Sequence, residues 1–142
     1  MSNRVKEVVI VSAIRTPIGI YKGSLKNIKS DQLGSIVIKE ALKKSEFTGD
    51  EIDEVIMGQV LTAGAGQNPA RQAAVNAGIP ISKPAHIVNQ VCGSGLRAVI
   101  SGYQSIKLGE SNNIISGGQE SMSLAPHSIF YRDEKKYQKT NY

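Results

Sequence analysis

Residues 85–108 read AHIVNQVCGSGLRAVISGYQSIKL, and their pattern changes at the cysteine. The run at residues 85–91 has the length and the β-branched content of a buried strand. From Gly93 to Leu108 the apolar residues recur at helical spacing, and the expected buried stripe consists of Leu96, Val99, Ile100 and Tyr103. The sequence therefore predicts a strand that turns directly into a helix, with Cys92 at the junction.

The alternation of strand and helix continues on both sides of this stretch. Apolar, partly β-branched runs predict further strands over Val5–Ala13, Glu54–Leu61 and Asn113–Ser116. Two more helices are predicted: one is capped by Ser30 or Asp31 and buries Leu33, Ile36, Val37 and Ala41, and the other runs from Pro69 towards Gly78. The order β-α-β-α-β-α-β predicts an α/β fold with a mostly parallel sheet covered by helices.

Composition excludes several classes of protein. The chain has 142 residues, a net charge of +5 and one cysteine, so no internal disulfide is available and a reducing compartment is favoured. No apolar run reaches the roughly 20 residues of a membrane helix, and the N-terminus lacks the features of a signal peptide. The basic residues form no block and are not interleaved with aromatic residues, so nucleic-acid binding is not indicated. We expect a cytoplasmic protein that binds neither a membrane nor nucleic acid.

Cys92 is the strongest candidate for chemistry. In a parallel sheet a strand-to-helix junction lies at the carboxyl edge, where open α/β proteins bind ligands. A helix N-terminus favours a nucleophilic thiolate, and the Cys92 backbone N–H is a candidate oxyanion donor. Gly93 and Gly95 leave the backbone accessible to a bulky substrate. The alternative is an inert cysteine that packs as a small apolar side chain.

Four ordered segments resemble the N-terminal part of a thiolase, most closely the acetyl-CoA acetyltransferase type. They are VVIVSAIRTPIGIYKGSL at 8–25, GQNPARQAAVNAGIP at 66–80, NQVCGSGLRA at 89–98 and ISGGQESMSLAPH at 115–127. The resemblance implies a layered αβαβα fold in which Cys92 is acylated by acetyl-CoA. Condensation with a second acetyl-CoA would then give acetoacetyl-CoA, and thiolysis is the reverse reaction. It also implies coenzyme A thioesters as substrates, no other cofactor, and a homo-oligomer that is a dimer or a tetramer.

The resemblance also implies groups that these 142 residues do not contain. Thiolases use a histidine, a second cysteine and an Asn-Glu-Ala-Phe segment far downstream, and this sequence has neither a second cysteine nor those motifs. We therefore expect residues 1–120 to form the N-terminal thiolase half and residues 121–142 to begin a loop region that is cut off. Most coenzyme A contacts would lie beyond Tyr142. The isolated chain would be an incomplete enzyme with exposed apolar surface.

The remaining candidate residues and motifs give weaker indications of a function. His86 is expected to be packed or hydrogen-bonded, and His127 to be a loop residue. No set of Cys, His and Asp has metal-ligand spacing, so no metal is expected. Gly64-Ala65-Gly66 lacks the third glycine and the acidic residue of a dinucleotide loop.

Two other functions remain open. The chain could be a non-catalytic module that binds a C-terminal thiolase half or a full-length thiolase. It could instead belong to a related condensing enzyme such as a ketoacyl synthase, although the RTPIG and GGQESMS segments favour a thiolase.

Overall fold

The computed structural model describes residues 7–128 and contains a three-stranded parallel sheet between layers of helices. The strands are β1 (Glu54–Gly58), β2 (Ala85–Val88) and β3 (Ile114–Gly118), in the order β2-β1-β3. The helices are α1 (Ser30–Ser45), α2 (Pro69–Asn76) and α3 (Ser94–Leu108), and two short 3-10 turns occur at Gly49–Glu51 and Met122–Leu124. The predicted α/β class and the parallel sheet are confirmed for the described residues.

The main core lies between β1 and the pair α1 and α2. Val55 and Met57 point from β1 into this layer, where α1 contributes Ile38 and Leu42. The alanines of α2 complete the cluster because small side chains let the helix lie close to the strand. On the opposite face of β1, Ile56 is buried and α3 covers the sheet.

The buried face of α3 is the opposite of the predicted one. Its buried residues are Ser94, Ala98, Gly102 and Ser105. A Cβ at Gly102 would lie 2.4 Å from the Ser116 Oγ of β3, so α3 approaches the sheet too closely for large side chains. The predicted stripe of Leu96, Val99, Ile100 and Tyr103 is therefore exposed, and Leu96 retains 68% of its accessible surface. Part of the exposed apolar surface expected for this chain lies on this face of α3, and another part lies in residues 9–21, which include Ile10, Ile18 and Ile20.

The predicted strand over Val5–Ala13 is not observed. Residues 7–13 form no strand, and Ile10 is 78% exposed. A continuous β-branched run shows that a segment suits a buried strand, but ladder hydrogen bonds require a neighbouring strand. Residues 7–128 supply none for this segment. Residues 5 and 6 of the predicted strand lie outside the described residues.

The other elements differ from prediction mainly at their ends and in helix register. Strands β1 and β2 stop three residues earlier than predicted, and β3 continues through Gly118. In α1 the buried apolar residues are Ile38 and Leu42, whereas Ile36 is exposed. The predicted boundary at residue 120 stays a prediction, since residues 129–142 lie outside the described part of the chain.

Two polar contacts fix the segment that enters β1. The Asp53 carboxylate accepts hydrogen bonds from the backbone N–H groups of Asn112, at 2.7 Å, and Asn113, at 3.1 Å. The Glu51 carboxylate accepts from the Thr48 backbone N–H and from the Thr48 hydroxyl, and these two bonds hold the pKa of Glu51 below its ordinary value. The two Asp53 bonds tie the start of β1 to the start of β3, and the Glu51 bonds hold the turn that precedes β1.

The exposed face of α3 leads to a stability prediction. We expect Leu96→Gln to change the free energy of unfolding by less than about 0.5 kcal/mol, as is usual for a surface position. Ala98→Gln, at a fully buried position two residues away, should cost about 3 kcal/mol because the larger polar side chain has no space there. Urea denaturation of both variants measures the difference. Equal losses would contradict the observed orientation of α3.

Candidate functional site

The candidate site lies at the carboxyl edge of the sheet. The register pairs Gly58 with Val88 and Gly58 with Gly118, so the three strands end side by side. The chain leaving β2 reaches Cys92 within four residues and then enters α3. This is the edge at which open parallel sheets bind their ligands.

A tight turn presents Cys92. The Gly93 N–H donates to the Gln90 carbonyl at 3.0 Å, and the Ser94 N–H donates to the Val91 carbonyl at 3.1 Å. The Ser94 hydroxyl accepts from the Gln90 N–H at 2.9 Å and donates to the Val91 carbonyl at 2.6 Å. Cys92 is therefore enclosed by four hydrogen bonds of its neighbours while its own side chain is exposed.

Val91 adopts a strained backbone conformation beside the cysteine. Its φ is +50°, in a region that β-branched residues rarely occupy. Such a conformation costs about 1–3 kcal/mol and persists only where surrounding contacts hold it. The two hydrogen bonds that Ser94 donates to the Val91 carbonyl offset this cost. The resulting turn leaves Cys92 exposed.

Glycines bring this turn against the sheet. A Cβ at Gly58 would lie 2.3 Å from the Ser94 carbonyl carbon, and a Cβ at Gly118 would lie 3.3 Å from the Gly95 Cα. The first turn of α3 can therefore approach β1 only because that strand ends in glycine, and at the end of β3 Gly118 leaves a tight contact with Gly95. Sequence reasoning assigned Gly93 and Gly95 to substrate access and missed Gly58 and Gly118.

Two polar side chains beside the turn were also missed. Asn89 donates to the Val60 carbonyl and accepts from the Val91 N–H, and Glu120 accepts from the N–H groups that follow β1. Both residues lie inside the segments that resemble a thiolase, 89–98 and 115–127, but only their partners across the sheet reveal a role.

The two histidines among the predicted candidates have the following surroundings. The His86 Nδ1 is 3.1 Å from the Glu54 Oε1, which agrees with the expectation of a hydrogen-bonded residue, and His127 is exposed. An open groove of about 510 Å³ between residues 14–17 and α1 contains no residue of the turn. Two further findings concern metal ions and membranes. Within residues 7–128, no cluster of metal-ligating side chains occurs.

No helix in that range is long and apolar enough to cross a membrane.

Fold and site together define an α/β chain that displays one thiol at a strained strand-to-helix turn. Comparison with known families identifies it further, because the model of the thiolase N-terminal domain matches residues 8–141. The chain belongs to the thiolase family, as an N-terminal domain.

Individual relatives agree with this assignment. The chain is 52% identical to an acetyl-CoA acetyltransferase of Pseudomonas aeruginosa over 86% of its length and 31% of the relative. It is 50% identical to the cytosolic acetyl-CoA acetyltransferase of Rattus norvegicus, over 91% of its length and 32% of the relative. Among solved structures it resembles the Acat5 thiolase from Ascaris suum in complex with coenzyme A, with a TM-score of 0.88 and 41% identity. That match covers 90% of this chain and 34% of the other. The chain thus spans about a third of the length of the curated relatives it matches.

Proposed function

We propose that this chain carries the acylation step of a thiolase-type acyltransferase. The observation that supports it most is the exposed Cys92 on a strained turn at the carboxyl edge of a parallel sheet, in a chain about half identical to acetyl-CoA acetyltransferases. A substrate thioester can reach a thiol in that position.

In the proposed reaction the Cys92 sulfur attacks the acetyl carbonyl carbon of acetyl-CoA. The Cys92–acetyl thioester forms as the bond between the acetyl group and coenzyme A breaks, and coenzyme A leaves as its thiolate and takes up a proton. We propose that the Cys92 backbone N–H stabilises the oxyanion of the intermediate. Covalent catalysis of this kind divides one acyl transfer into two easier steps.

The complete proposed reaction joins the acetyl group on Cys92 to a second acetyl-CoA. The products are acetoacetyl-CoA and free coenzyme A, and the reverse direction is thiolysis. We further propose that the protein works in the cytoplasm and as an oligomer. The single cysteine and the cytosolic name of the rat relative support the location.

Intact-mass measurement after incubation with acetyl-CoA tests the proposal. We expect one acetyl group per chain, together with one equivalent of released coenzyme A thiol. Thiolysis of acetoacetyl-CoA by the purified 142-residue chain should stay below detection, because the second cysteine used by thiolases is not among these residues. No acetylation of the chain would contradict the first expectation, and measurable turnover would contradict the second.

The exposed face of α3 favours a second candidate function. Leu96, Val99, Ile100 and Tyr103 form an apolar stripe on a helix whose other face is buried. Such a surface suits a protein partner, and we propose a C-terminal thiolase half or a full-length thiolase. Size-exclusion chromatography with such a partner, combined with an activity assay, distinguishes a split enzyme from a binding module. Co-elution with a gain of activity supports a split enzyme, co-elution without a gain supports a binding module, and separate elution contradicts both.

A further inference from the structure

A carboxylate that follows β3 holds the chain that leaves β1. The Glu120 carboxylate accepts from the Val60 N–H at 2.8 Å and from the Leu61 N–H at 3.4 Å. Hydrogen bonds to an ionised acceptor are about twice as strong as neutral ones. Glu120 therefore fixes where the backbone lies immediately after β1.

Asn89 connects that backbone to the cysteine turn. Its Nδ2 donates to the Val60 carbonyl at 3.3 Å, and its Oδ1 accepts from the Val91 N–H at 3.1 Å. Val91 is the residue with φ of +50° directly before Cys92. The amide of Asn89 is thus anchored at one end and holds the strained residue at the other.

We propose that Glu120 and Asn89 are positioning residues for the acylation of Cys92, an inference that rests on the proposed function. Together with the backbone of Val60, Leu61 and Val91 they form a strand-end network that joins the ends of all three strands. Ser94 holds Val91 from within the turn, whereas the strand-end network holds it from β1 and β3. Loss of either side chain lets Val91 relax from its strained conformation, because such a conformation persists only under surrounding constraint. The thiol then leaves the orientation in which it meets the acetyl group.

Two conservative substitutions separate the links of the network. Glu120→Gln removes the charge and retains one acceptor oxygen. Asn89→Asp retains an acceptor for the Val91 N–H but loses the donor to the Val60 carbonyl. Glu110→Gln and Asn27→Asp are matched controls, because both side chains are exposed and both residues lie outside the strand-end network.

The first measurement is hydrogen exchange in the peptide covering residues 89–95, which requires no activity. We expect Glu120→Gln to accelerate exchange there about fivefold, although its contacts lie on the segment after β1. The double variant should show no more than the larger single effect, because both substitutions break one connected network. The second measurement is the acetylation rate at saturating acetyl-CoA, which should fall about tenfold in either variant while the half-saturating concentration stays unchanged. A general loss of folding would alter both quantities and the urea midpoint.

The results distinguish this inference from the proposed function. The inference is wrong if Glu120→Gln leaves exchange and acetylation at wild-type values, or if the effects of the two substitutions multiply. If the wild type accepts no acetyl group but Glu120→Gln still changes exchange and the rate of Cys92 alkylation by iodoacetamide, the thiolase proposal fails and the network stands. Should Glu120→Gln unfold the protein, Asn89→Asp, at an exposed position, decides the question alone.

Discussion

Cys92→Ser is expected to lower acetyl transfer from acetyl-CoA by about 10³-fold or more, the loss typical of removing a nucleophile. A serine hydroxyl is scarcely ionised near neutral pH, so it is a much weaker nucleophile than a cysteine thiolate unless a base activates it. Intact mass against time, with coenzyme A release followed in parallel, measures the effect.

The fold should be unaffected by this substitution. The Cys92 side chain is exposed, so Cys92→Ser should change the free energy of unfolding by less than about 0.5 kcal/mol. Treatment with hydroxylamine is the chemical control, because it cleaves a thioester and leaves an acetylated lysine intact. Undiminished, hydroxylamine-resistant acetylation of Cys92→Ser would exclude Cys92 as the acylated residue.

Gly58→Ala is expected to destabilise the chain by about 3 kcal/mol, the upper part of the range for an overpacked core. The added Cβ would lie 2.3 Å from the Ser94 carbonyl carbon and 2.4 Å from the Gly95 nitrogen. Both atoms belong to the backbone, so the steric overlap can be relieved only if α3 moves as a whole. Urea denaturation monitored by circular dichroism measures the loss, and complete unfolding at 25 °C would be an extreme form of the same result.

Gly95→Ala is the matched control at the same contact. Its Cβ would meet Gly118 at 3.7 Å, an ordinary van der Waals distance. Gly95 lies inside α3, where alanine is the better helix former, so a gain of up to about 1 kcal/mol is expected. Similar effects of the two substitutions would show that α3 does not approach the sheet at Gly58.

Local signals in the sequence predicted most of the described elements. Pro69 begins α2 as predicted, and Gly109 ends α3 in the left-handed conformation typical of a helix stop. The sequence also placed the cysteine correctly between a strand and a helix. These features depend on residues that are close in the chain, so composition and spacing reveal them.

The orientation of α3 was not predictable from its own pattern. The apolar stripe over Leu96 and Ile100 suggested a buried face, whereas the face against the sheet consists of Ala98, Gly102 and two serines. Periodicity shows which residues favour burial but not which neighbour buries them. The prediction of a strand over residues 5–13 was wrong for residues 7–13 for the same reason, because the pattern does not show whether a neighbouring strand is present.

The same distinction between local and long-range contacts applies to the residues of the candidate site. Cys92 and its glycines could be found from sequence because strand, turn and helix adjoin in the chain. Asn89 and Glu120 could not, because their partners lie 29 and 60 residues away.

The sequence by itself determined the α/β class, the family resemblance and the cysteine at a strand-to-helix junction, since each depends on local pattern. Only the tertiary structure decided which face of α3 is buried, why β1 and β3 end in glycine and which backbone groups Glu120 and Asn89 contact after β1. The physical reason is that close packing and hydrogen bonds between strands join residues that are distant in the chain.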